Sequence, residues 1–211
     1  MEKILFMGDS YTSGENNGFR SYVDHLNWEG CIIDSIGISG TTMGEYSIYP
    51  VDGQSLLAQI KENAQKIAEA DEIFLEYGAN DVTAIIVGNT SYRQVLIAFV
   101  KAIDAIKQLN PLAKIRFLAL SDNKNIIGSY ASYQYKYLKE DYLKEYGVPG
   151  LVLDWTYYYS SLVEDIAKKI PVLSITRSRQ QIVKYMSEDG IHPTDEGYKE
   201  IARIISEELK R

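Results

Sequence analysis

The chain has 211 residues, of which 45% are apolar and 24% charged, the proportions of an ordinary globular protein with one domain's worth of core. Its net charge of −7 and the lack of any basic stripe argue against a nucleic-acid partner. No segment approaches the run of about 18 apolar residues that a membrane span needs, and the single cysteine, Cys31, excludes an internal disulfide or a cysteine-based zinc site.

Short apolar runs alternate with amphipathic stretches along the chain. The first run, "KILFMG" (Lys3–Gly8), is followed at once by "GDSYTSG" (Gly8–Gly14). Its apolar part ends at Met7, too early for a secretion signal, so a cytoplasmic location is expected; a secreted protein with its leader removed reads the same way. "YVDHLNW" (Tyr22–Trp28) reads as helix, with His25 on its face and no His or Cys neighbour to make a metal site. "CIIDSIG" (Cys31–Gly37) is the second strand-like run and leads into "GISGTT" (Gly37–Thr42). A helix is expected from the spacing of Leu56, Leu57, Ile60, Ala64, Ile67 and Ala68. The third run, "EIFLEYG" (Glu72–Gly78), leads into "GAND" (Gly78–Asp81), and Leu96, Phe99, Val100, Ile103 and Ile106 mark another helix. "KIRFLAL" (Lys114–Leu120) and "LVLDW" (Leu151–Trp155) complete five strand-like runs. Tyr198, Ile201, Ala202 and Ile205 share one face of a last helix, with Thr194 as its N-cap and Asp195 and Glu196 in its first turn.

Runs that are apolar at nearly every position suit strands buried on both faces of a parallel sheet. Alternation with helices then predicts a three-layer α/β/α fold, flavodoxin-like, with about five mostly parallel strands in one domain spanning 1–211. Such folds bind ligands beyond the carboxyl ends of their strands, so the residues after each run carry the functional information.

Those residues are a serine at Ser10, glycine-rich backbone around Gly40, an amide at Asn80 and, from the C-terminal end, "DGIHP" (Asp189–Pro193). His192 is one of only two histidines, and Gly190 and Pro193 place it with Asp189 in a rigid bend. A nucleophile, a base, a carboxylate to orient the base and donors for an oxyanion are the parts that acyl transfer needs.

At these four blocks, "GDS", "SG" (Ser39–Gly40), "GAND" and "DGIHP", the sequence resembles the SGNH hydrolases, also called the GDSL esterase/lipase superfamily. A lone "GDS" is common by chance; four blocks in the family's order, spanning nearly the whole chain, are highly specific. The resemblance implies Ser10 as nucleophile, His192 as base and Asp189 as its orienting carboxylate. It also implies an oxyanion hole made of the Ser10 and Gly40 backbone N–H groups and the Asn80 side-chain amide, with no cofactor and no metal. Two departures, Tyr11 in place of the family's usual Leu and Ser35 where relatives often place Asn, bear on pocket shape rather than on the chemical groups. Asp9 reads as a carboxylate that bonds the loop backbone, and Asp81 as structural.

The expected function is therefore a serine esterase for short, acetyl-type acyl groups, with a small ester, on a carbohydrate, as substrate. The short polar loop "MGEYSIYPVDGQ" (Met43–Gln54) offers no shelter for a long alkyl chain. Seventeen tyrosines, dense in Ser129–Tyr146 and Trp155–Ser161, read first as packing and second as an aromatic rim for a sugar, and "SDNKN" (Ser121–Asn125) follows strand four at the same edge. The alternatives are an arylesterase or lysophospholipase of the same family and, more distantly, a flavin-binding electron carrier or a non-catalytic carbohydrate-binding relative. The sequence does not set the oligomeric state.

Overall fold

The structure, a computed structural model, describes residues 1–46, 55–119, 157–174, 185–187 and 192–211. Five parallel strands form one sheet in the order β2-β1-β3-β4-β5: β1 (Glu2–Gly8), β2 (Cys31–Gly37), β3 (Glu72–Glu76), β4 (Lys114–Ala119) and β5 (Val172–Ser174). The helices are α1 (Ser10–Ser13), α2 (Leu56–Glu62), α3 (Ala64–Glu69), α4 (Ala79–Ile86), α5 (Tyr92–Leu109), α6 over 157–167 and α7 (Asp195–Leu209).

The two-residue period of each strand divides its side chains between two cores. Leu5, Met7, Ile73, Leu75, Ile115 and Phe117 face one side, against Leu56 and Ile60 of α2, Ile67 of α3, Phe99 and Ile106 of α5, and Leu162 and Ile166 of α6. Ile4, Phe6, Phe74 and Leu118 face the other, against Tyr22, Val23 and Trp28 and the Tyr198–Ile201–Ile205 stripe of α7. Phe6 and Phe74 stack across neighbouring strands with centroids 4.7 Å apart, and Tyr22 meets Phe6 edge-on at 5.7 Å. The three layers thus follow from alternate residues of the same strands.

Several expectations change in detail. The helix expected from Leu56 to Ala68 is two, broken at Asn63, which leaves helical dihedrals (φ −113°, ψ 28°) while its backbone and side-chain N–H groups both donate to the Gln59 carbonyl at 3.0 Å. In α5 the sheet-facing positions include the small residues Ala98 and Ala102, which allow close approach, and Val100 lies on the exposed side. Tyr22–His25 is a 3₁₀ turn rather than an α-helix. The fifth described strand, Val172–Ser174, is a short, half-buried edge that apolar patterning does not single out. The expected strand Leu151–Trp155 and the segments Ser121–Asn125 and Ser129–Tyr146 lie outside the described residues.

Register sets up the functional edge. Gly8 pairs with Gly37 on one side and with Glu76 on the other, so β1, β2 and β3 end level. The chain leaving each of them enters the same space.

Candidate active site

Ser10 opens α1 directly beyond β1. Asp9 caps that helix, its Oδ1 accepting from the Tyr11 N–H at 3.1 Å, and Gly14 closes it in the left-handed conformation. The turn is therefore tight, and Ser10 sits half-buried at its tip. The loop after β2 is fastened beneath it: the Ile38 N–H donates to the Gly8 carbonyl at 3.1 Å, and the Ser13 and Ser39 hydroxyls lie 3.1 Å apart. Gly37 makes this contact possible, because a Cβ there would stand 2.2 Å from the Ser13 nitrogen.

His192 comes from the opposite end of the chain. Its carbonyl accepts from the Ser187 N–H at 2.8 Å, the Thr194 N–H and hydroxyl both donate to the Tyr185 carbonyl, and Thr194 then caps α7. The imidazole Nε2 of His192 lies 2.9 Å from Ser10 Oγ. The Tyr11 ring, 6.0 Å from the imidazole centroid, packs beside it, so this departure from the family pattern forms part of the base's wall. Asp189 lies outside the described residues, so the orienting carboxylate rests on the sequence pattern.

The oxyanion-side groups surround the same serine. Among the described residues no hydrogen bond engages the backbone N–H of Ser10 or of Gly40, and Gly40 adopts φ +78°. Asn80, at the start of α4, is buried and points its amide nitrogen inward, donating to Asp9 Oδ2 at 3.1 Å and to the Thr41 carbonyl at 3.0 Å. Both amide hydrogens have partners in this state, so the Ser10 and Gly40 N–H groups are the donors with spare capacity. To reach a further oxygen, Asn80 must share one of its bonds.

Buried acids lie directly beneath. Asp81 Oδ1 accepts from the Met43 N–H at 2.9 Å and the Tyr46 hydroxyl at 2.8 Å, and burial pushes its carboxyl up to about 6. These bonds pin the loop after Thr42, the structural role expected of Asp81. Glu76, the last residue of β3, is 2% exposed; burial and the neighbouring Asp9 charge hold it well above the usual carboxylate range. Asp9 is raised too, by burial, but the Tyr11 N–H opposes that shift. Sequence reasoning passed over Glu76 and also Asn16, whose side chain donates to the Pro193 carbonyl at 3.2 Å. A glutamate closing a strand buried at every position was the available signal for the former. His25 pairs with Asp195 at 3.0 Å rather than standing free on a helix face.

A sequence profile of the GDSL-like lipase/acylhydrolase family matches residues 6–200. The chain belongs to that family. The match places it among the carboxylic ester hydrolases and sets aside the flavin-carrier reading. No curated protein sequence matches significantly. Solved structures share the fold at low identity. A lipase from a goat rumen metagenome is 15% identical, with a TM-score of 0.63 over 98% of this chain and 97% of that one. A carbohydrate acetylesterase family member from Sinorhizobium meliloti is 14% identical, with a TM-score of 0.63 over 100% and 98%. An acetylxylan esterase from Geobacillus stearothermophilus is 15% identical, with a TM-score of 0.60 over 99% and 94%. Among the described residues no helix is long and apolar enough to cross a membrane, and no cluster of His, Cys, Asp or Glu is suited to a metal ion.

Proposed function

We propose that this family member is a serine esterase that removes short, acetyl-type acyl groups from a carbohydrate through an acyl-enzyme intermediate. The observation that carries the reading is the 2.9 Å contact between Ser10 Oγ and His192 Nε2, the reach required of a nucleophile and its base. With the ring proton on Nδ1, held there by Asp189, Nε2 accepts the Ser10 proton as Oγ attacks the ester carbonyl. The negative oxygen of the tetrahedral intermediate then draws on the Ser10 and Gly40 N–H groups and on Asn80. Nε2 returns its proton to the departing alcohol oxygen. Water next gives a proton to Nε2 and attacks the acyl carbon; collapse of the second intermediate frees the acid and restores the serine hydroxyl.

Two observations support the short-acyl, sugar-linked part. The residues after Thr42 are tied by polar bonds, with the Thr42 hydroxyl donating to Gly44 and Tyr46 carbonyls, and Met43 is buried rather than presented to a ligand. Several proteins of the same fold are named as carbohydrate or acetylxylan esterases. Treatment with a serine-directed phosphonate tests the nucleophile: one label mass should be added, turnover should stop, and Ser10→Ala should take no label. Labelling that persists in Ser10→Ala overturns the assignment, and a protein that turns over no ester at all supports a non-catalytic binder.

A further inference from the structure

Where β1 and β3 end level, the buried side chains of Asp9 and Glu76 share a hydrogen bond. Asp9 is 1% and Glu76 2% exposed, and they are joined through the backbone as well, the Asp9 N–H donating to the Glu76 carbonyl at 3.3 Å. No lysine or arginine bonds either of them among the described residues. Two ionised carboxylates in contact without a cation repel strongly in a low-dielectric interior, so the pair retains one proton.

The surrounding donors decide which acid keeps it. Asp9 accepts two N–H bonds, from the Tyr11 backbone on Oδ1 and from Asn80 Nδ2 on Oδ2, both at 3.1 Å. Glu76 accepts a hydroxyl, from Thr12 Oγ1 to Oε2 at 3.3 Å, and among the described residues the one N–H near its carboxyl is that of Asp9, which already donates to the Glu76 carbonyl. Thr12 is in turn 3.0 Å from the Tyr22 hydroxyl. Bonds from N–H groups favour the ionised form, so the charge belongs on Asp9 and the proton on Glu76. Burial raises both carboxyls, and at Asp9 the Tyr11 N–H opposes the rise, whereas at Glu76 the Asp9 charge adds to it.

We propose that Glu76 is a positioning residue for the oxyanion hole: as a neutral acid it donates to Asp9, and so fixes Asp9 as the anion that aims the Asn80 amide beside Ser10. A continuous line of donors then runs from Tyr22 through Thr12 and Glu76 to Asp9, with Asn80 donating to the same carboxylate from the other side. Asp9 also lies close enough to His192 for their charges to interact. One retained negative charge favours the imidazolium formed in each half-reaction, and a second, on Glu76, would be held by fewer N–H bonds than the first. The inference rests on the serine-esterase reading above and adds a residue to it.

Kinetics of Glu76→Gln, Glu76→Leu and Ser10→Ala on an aryl acetate separate the two. Glutamine still donates to Asp9 and still accepts from Thr12, so Glu76→Gln should keep kcat within about threefold, a single-bond adjustment. Leucine cannot donate; Glu76→Leu should lose about 10- to 100-fold in kcat with KM nearly unchanged, part of the ~10²–10³ that deleting an oxyanion donor costs. Ser10→Ala should be inactive; if it is not, the esterase reading fails and not the Glu76 inference alone. With Ser10→Ala inactive, wild-type kcat in Glu76→Leu overturns the inference, as does a loss of tenfold or more in folded Glu76→Gln. Infrared spectroscopy supplies a second readout should Glu76→Leu not fold. At alkaline pH, where Asp81 is ionised, the wild-type protein should show the carbonyl band of one neutral carboxylic acid, and Glu76→Gln should lack it. Absence of that band from the wild type overturns the proposal.

Discussion

Asn16 bridges to Pro193 across nearly the full length of the chain: its amide nitrogen donates to the Pro193 carbonyl at 3.2 Å while its carbonyl oxygen accepts from the Tyr198 hydroxyl at 3.0 Å. Asn16 follows the helix that carries Ser10, and Pro193 follows His192. The 2.9 Å contact between nucleophile and base is thus held by a second tie, one residue after the base and a short way after the nucleophile. Asn17, Arg20 and His25 add a third by meeting Asp195 at the start of α7.

Asn16→Ala removes both bonds of the tie. Kinetics on an aryl acetate should show kcat reduced by about tenfold with KM little changed, because the loss is of alignment rather than of substrate contact. The stability cost should be about 1 kcal/mol, since Asn16 is exposed to water. Tyr198→Phe keeps the buried ring and removes one bond, so its effect on kcat should be smaller. A large KM increase with unchanged kcat would mean that Asn16 touches substrate instead.

Gly37 and Gly30 provide a matched pair of substitutions. A Cβ on Gly37 meets the Ser13 nitrogen at 2.2 Å and the Thr12 carbonyl carbon at 2.5 Å, both backbone atoms of the turn that presents Ser10. Gly37→Ala must push that turn off the sheet. Loss of about 1–3 kcal/mol in stability, together with a clear fall in kcat, is the expected result. Gly30 has φ +76° and open space around it, so Gly30→Ala should cost about 1 kcal/mol from backbone strain alone and leave the rate intact. Denaturant unfolding and steady-state rates on the same samples check both.

Asp195 gives a pH dependence with a definite sign. Its bond from Lys199, and then those from His25 and Asn17 and the Arg20 charge, hold its carboxyl down at about 2. A carboxyl depressed on folding adds stability that is fully present above its unfolded value, about 3.9, and lost as pH falls through the folded one. The difference in Tm between the wild type and Asp195→Asn should therefore be constant above roughly pH 5 and shrink as pH falls toward 2. The difference between proteins is the quantity to follow, because Glu76 and Asp81, both raised, work oppositely: they favour folding at low pH and lose that contribution as pH rises. A gap that widens toward low pH contradicts the ion-pair account of Asp195.

β1, β3 and β4 and the helix face Tyr198–Ile201–Ala202–Ile205 are legible in the sequence because each buries most of its apolar pattern. β2 is legible from its isoleucines although, as an edge strand, it buries only Ile36. The chemical groups are legible for a different reason: Ser10, Gly40 and Asn80 each follow a strand at the edge where α/β sheets bind ligands. What stays hidden depends on contacts between distant segments. Nothing local to Asn16 signals a bond to Pro193, and Glu76 looks like any strand-end glutamate until β1 and β3 pair level and bring Asp9 beside it. Ala98 and Ala102 outrank the larger Val100 in α5 because close packing against the sheet selects small residues, a preference that hydrophobic periodicity does not carry.

Acyl-chain preference is the sharpest test of the substrate class. Each methylene buried against protein is worth about 0.8 kcal/mol, close to fourfold in kcat/KM, so an esterase with an apolar groove gains steadily as the acyl chain lengthens. Among the described residues the loop beyond Gly40 offers no such wall. Thr41, Thr42 and Met43 are all buried, the Thr42 hydroxyl is committed to Gly44 and Tyr46 carbonyls, and Tyr46 is turned inward onto Asp81. A chain lying along that loop would stay in contact with water and gain little from added carbons. In a series of p-nitrophenyl esters, kcat/KM should peak at about two to four acyl carbons and fall beyond, and acetylated oligosaccharides should outperform acetyl esters of simple alcohols. A maximum at about eight carbons or more would refute the short-acyl reading and favour a lipid or lysophospholipid substrate, with Ser10 and His192 keeping their proposed roles.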